Sequence, residues 1–182
     1  MLKKVSNFIA HMETIFASVC AGAVTLLILL NIVTRSVGYA IYWVDELAIY
    51  VMIWMTLFTT SVMLKKRTSV SVTLLADACP PKVRYWFDAV GDLFVLVFAG
   101  IILWLCIRWY DPVGLFQAGM DVLAFQGDTF NFMYSENTNT IGIKKFWIWL
   151  ALPLFSLSLT IHAVNNFLER IMGKHLVGET TS

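Results

Sequence analysis

The chain has 182 residues, 59% of them hydrophobic and only 14% charged, with a net charge of +1. Soluble domains carry roughly a quarter charged residues, so this chain leaves too little wettable surface and falls in the membrane class. The near-zero charge argues against nucleic acid as a partner. The isolated cysteines Cys20, Cys79 and Cys106 form no Cys/His cluster, which leaves them as small packing residues rather than zinc or dithiol ligands.

A bilayer-crossing helix needs about 20 mostly apolar residues, and four stretches qualify. Lys3 and Lys4 precede the first, 14–34. Its start resembles a signal peptide, but no small-residue cleavage site ends it, so a retained first helix is predicted after an N-terminal segment 1–13. Arg35 closes this span. The second, 47–64, is opened by Asp45 and Glu46 and closed by Lys65, Lys66 and Arg67. Acids are favourable at a helix N-terminus, and an Arg35–Glu46 pair closing the hairpin is the simplest expectation. The sharper one is that Arg35, Trp43, Asp45 and Glu46 meet a partner protein.

Between the second and third spans, Val70, Leu74, Leu75 and Ala78 recur near helical spacing before Pro80 and Pro81. An amphipathic helix over 69–79, lying in the headgroup plane, fits this pattern. A strand there would leave backbone groups unsatisfied at lipid depth. The third span, 86–109, begins with Asp88 and Asp92 on one face. Paired carboxylates suit cation binding or proton transfer. The simpler expectation is an ion pair with Lys82, Arg84 or a neighbouring subunit. Lys65, Lys66, Arg67, Lys82, Arg84, Asp88 and Asp92 thus form a predicted band of ionic or lipid contacts.

The connection 111–143 is long and apolar, with at least one short surface helix expected; Phe125 and Phe130 are its candidate docking residues. The fourth span is 146–168, followed by a tail, 171–182. The predicted fold is all-α: four transmembrane helices, an interfacial helix and a single membrane domain over 14–170. The side bearing both termini carries nine Lys and Arg residues and the other side four, so both termini are expected in the cytoplasm.

Membrane chemistries need ionisable groups at depth. Glu13, Asp45, Glu46, Asp88 and Asp92 all fall at predicted span ends. Only His162 lies within a span, where a haem-binding subunit needs paired axial ligands. It reads as a polar packing residue. Thr56, Thr59, Thr60 and Ser61 read as helix-facing hydroxyls. A bundle without chemistry of its own is predicted, with no catalytic, substrate-binding or metal site and no cofactor.

The order Arg35, Trp43, Asp45-Glu46, Lys65–Arg67, 70–78, Pro80-Pro81, then Trp147–Pro153 in the last span, resembles the small-permease, DctQ-like subunit of tripartite ATP-independent periplasmic (TRAP) transporters. The resemblance covers most of the chain. It implies a stable heterodimer with a large permease carrying the substrate and sodium sites. It also implies a transient periplasmic substrate-binding protein, a lipid environment and a bacterial inner-membrane location. The small subunit would then be a fixed scaffold for sodium-driven uptake of an organic acid. The runner-up is a membrane anchor of a redox complex. Two features depart from the family: Ser69 and Thr73 stand where many members carry a histidine and an acid, and 111–143 is longer than expected.

Overall fold

The computed structural model describes residues 1–67 and 80–172. The predicted interfacial helix 69–79, with Ser69, Thr73 and Cys79, and the tail from 173 lie outside the described residues, as does the side chain of Lys82.

Among the described residues seven helices follow one another: α1 Leu2–Ser36, α2 Tyr42–Lys66, α3 Pro81–Tyr110, α4 Pro112–Gln117, α5 Val122–Thr129, α6 Lys145–Trp149 and α7 Ala151–Ile171. No strand occurs among the described residues, where Asn137 and Lys144 form an isolated antiparallel bridge. Four stretches are long and apolar enough to cross a membrane, with α6 and α7 together forming the fourth.

The first helix starts at Leu2, well ahead of the predicted span 14–34. Its 35 residues span about 52 Å at 1.5 Å per residue, well beyond the roughly 30 Å hydrocarbon core. The reason lies in its buried residues, Ser6, Ala10, Glu13, Ala17 and Cys20. They recur at alternating four- and three-residue spacing, a continuous stripe on one helix face. Small side chains on that stripe let a neighbouring helix approach closely. Residues 2–13 therefore belong to the first helix.

The last helix organises the bundle. Helix α1 packs on α2, while α7 packs on α1, α2 and α3. Within its most apolar window the fourth stretch is 44% buried, against 6% for the first. Ala99 of α3 joins Phe155, Leu159 and Ala163 of α7 in the apolar core. Pro153 denies α7 one backbone donor, and the helix breaks at Leu150. Neighbouring side chains satisfy nearby carbonyls: Trp54 Nε1 donates to Ile148 O at 2.9 Å and Tyr110 Oη to Phe146 O at 2.9 Å.

Candidate functional site

A polar seam runs inside the bundle where the sequence reading placed none. Glu13 and His162 are 5% and 1% exposed, and His162 Nε2 lies 3.1 Å from Glu13 Oε2. Ser158 Oγ donates to Glu13 Oε1 at 2.5 Å, Ser61 Oγ lies 3.1 Å from Ser158 Oγ, and Ser6 Oγ lies 2.8 Å from His162 Nδ1. A carboxylate only accepts hydrogen bonds, so the imidazole and Ser158 both donate to it. Three helices, α1, α2 and α7, are thus joined by one chain of hydrogen bonds. Glu13 sits on the buried stripe of α1. The signal was available in the spacing of Ser6 and Glu13, seven apart, and of Ser158 and His162, four apart. His162 is a packing histidine as expected, but one with both ring nitrogens engaged.

At the end of the bundle where α1 begins and α7 ends, Asp92 Oδ2 accepts from Arg67 at 2.7 Å and from Arg170 Nε at 2.5 Å. Arg170 also lies 3.7 Å from Asp88 and over the ring of Tyr85. Two cations and two anions balance locally, which makes a buried cluster of this kind tolerable. Asp88 and Asp92 therefore meet Arg67 and Arg170 within the chain, cations beyond the Lys82 and Arg84 of the sequence expectation. Asn166 reinforces the joint by donating to the carbonyls of Leu64 and Lys65, while its own carbonyl accepts from Arg67. Lys66 is exposed and Lys65 half-buried.

At the opposite end the two adjacent acids part company. Arg35 pairs with Asp45, not Glu46, at 2.6 Å, with the side chains 56% and 38% exposed. Asn31 bridges the same two side chains. Glu46 turns the other way, because one helical step rotates neighbouring side chains by about 100°. Its carboxylate accepts from the backbone N–H groups of Asn139 at 2.7 Å, Thr140 at 2.6 Å and Ile141 at 3.1 Å. The Thr140 hydroxyl and the Tyr50 phenol add to this cradle. The predicted Arg35–Glu46 pair is thus replaced by two separate fastenings. Trp43 stands exposed beside them.

The comparisons with known proteins match the pattern of these elements. The family model described as "Tripartite ATP-independent periplasmic transporters, DctQ component" matches residues 24–173. This chain belongs to the DctQ family. No curated protein sequence matches it. As a DctQ component it is a multi-pass membrane protein that works with other TRAP components in a complex. The family match takes in His162 and Ser158 but begins after Ser6 and Glu13, so the α1 half of the polar seam lies outside it.

The long connection of this DctQ chain is built rather than loose. Asp111 caps α4 by accepting from Gly114 N. Asp121 caps α5 by accepting from Leu123 N and Ala124 N, as short acids at N-caps do. Phe125 is 1% exposed and meets the Tyr134 ring, which corrects its assignment as a docking residue. The aromatic side chains of 111–143 need a core of their own, and Phe125 supplies it. Tyr134 donates to Tyr110 O at 2.6 Å; burial, then the nearby Asp111 carboxylate, push its phenol pKa up, so it stays a donor. Phe130, by contrast, is 79% exposed. Trp109, Phe130, Phe132, Trp149, Glu136 and Lys145 line a cavity of about 510 Å³ at this end.

Proposed function

We propose that this DctQ chain is the non-catalytic scaffold subunit of a sodium-driven, binding-protein-dependent organic acid transporter in the bacterial inner membrane, with both termini in the cytoplasm. The observation that carries this reading is the match to the DctQ component over 24–173. The side-chain chemistry supports it. Glu13, His162, Asp92 and Arg170 are consumed in bonds within the chain, which suits a rigid support better than a moving carrier. In this reading the large permease carries the substrate and the sodium sites and binds this subunit stably. The end of the bundle with Arg35, Asp45, Glu46, Trp43 and Phe130 faces the periplasm and the substrate-binding protein. Lys65, Lys66, Arg67, Lys82 and Arg84 lie at the cytoplasmic headgroups.

Reconstitution tests it. Liposomes holding this chain together with its large permease should take up substrate when the binding protein and a sodium gradient are supplied. Liposomes holding this chain alone should not, and uptake by them would refute the scaffold role.

A further inference from the structure

The cavity at the loop end is unlike the rest of the apolar surface, because its walls combine aromatic faces with a charge pair. Trp109 lies in the last turn of α3 and Trp149 ends α6, the level at which tryptophan marks a membrane–water interface. Phe130 adopts a left-handed backbone with φ 55°, a conformation costly for a bulky residue, and there it holds its ring in the open. The volume of about 510 Å³ falls within the roughly 300–1,000 Å³ of small-molecule sites. Lys145 Nζ and Glu136 Oε2 stand 3.2 Å apart on the same wall.

We propose that this cavity binds the headgroup and glycerol region of a zwitterionic phospholipid from the leaflet around it. The lipid phosphate would meet the Lys145 ammonium, and the lipid ammonium would meet the Glu136 carboxylate. Tryptophan faces add an attraction for that cation, and Phe130 and Phe132 offer apolar contact to the start of the acyl chains. Charge complementarity selects the class. A net-anionic headgroup has no cation to offer Glu136 and places a like charge beside it. A lipid held here would bridge α3, α6 and the 130–136 stretch.

Native mass spectrometry of the full chain, released from nanodiscs of equal phosphatidylethanolamine and phosphatidylglycerol, tests the site. The wild-type chain should retain phosphatidylethanolamine in preference to phosphatidylglycerol. Phe130→Ser and Lys145→Gln should each lower that retention about tenfold, the loss of one charge-assisted or well-packed contact. Phe130 is exposed, so its replacement leaves folding intact. Lys145→Arg, which keeps the cation, should restore retention. Equal retention of both lipids, or unchanged retention in Phe130→Ser and Lys145→Gln, overturns the proposal. So does loss of co-purification with the large permease in Phe130→Ser with lipid retention unaltered, since that outcome assigns Phe130 to a protein contact.

Discussion

The carboxylate of Glu46 and the backbone N–H of Thr140, 94 positions apart in the chain, meet at 2.6 Å. This contact fastens the tip of the 111–143 connection onto the second membrane helix just past its first turn. The tip is a tight reversal in which Thr138 N donates to Ile143 O at 2.8 Å. Gly142 supplies a left-handed residue at φ 80°, which glycine adopts without steric cost. Three consecutive amides then converge on one acid.

Replacing that acid should free the connection without unfolding the bundle. In Glu46→Ala the amides of Asn139, Thr140 and Ile141 lose their common acceptor and should exchange hydrogen at rates approaching those of an open loop. Exchange in α1 and α7 should not change. Glu46→Gln keeps one amide oxygen as acceptor and should fall between the two. Hydrogen-exchange mass spectrometry reads all three; unaltered protection at 139–141 in Glu46→Ala would show that the fastening contributes nothing. Reduced uptake by Glu46→Gln in the assembled transporter, with normal insertion, would tie the fastened tip to partner recognition.

The Glu13–His162 pair should behave as a buried couple. Removing one member leaves the other without its partner in the interior, a loss of about 3–5 kcal/mol. Glu13→Ala and His162→Ala should each lower the thermal midpoint of the detergent-solubilised chain strongly. The double variant should cost clearly less than the sum, because the second change removes a group already orphaned. Strict additivity in this cycle would mean that the two side chains do not interact.

Two aspartates at opposite ends of the bundle should respond unequally to the same change. Asp45→Asn breaks a half-exposed pair and should cost at most about 1 kcal/mol, with the small loss fading as salt is added. Asp92→Asn removes the charge facing both Arg67 and Arg170 in a buried cluster and should cost about 3–5 kcal/mol. Denaturation of the two variants side by side decides the matter, and a larger loss for Asp45→Asn would reverse the assignment.

Spans and hairpin corners were legible because they rest on composition and on charge at helix ends, which are local properties. The DctQ resemblance was legible for a related reason, since its motifs sit at those corners. Pairings were less legible. Asp45 and Glu46 are adjacent and chemically alike, and only the helix geometry decides which one faces Arg35. Phe125 and Phe130 look equivalent in sequence, yet the fold of the connection buries one and exposes the other. The seam of Glu13 was not legible because a hydropathy window starts the first span at residue 14, while the period of buried residues from Ser6 to Cys20 carries the helix farther back.

The position of α7 in the chain has a consequence for biosynthesis. The polypeptide emerges from its N-terminus, and α7 is the last of the described membrane helices to leave the ribosome. Both side chains that bond the Glu13 carboxylate, Ser158 and His162, reside on it, as does Arg170, the second cation on Asp92. During synthesis the first helix therefore waits in the bilayer with an acid that has no settled partner. A nascent chain interrupted before residue 158 carries a visible defect in its first helix, and completion of the chain is what removes it.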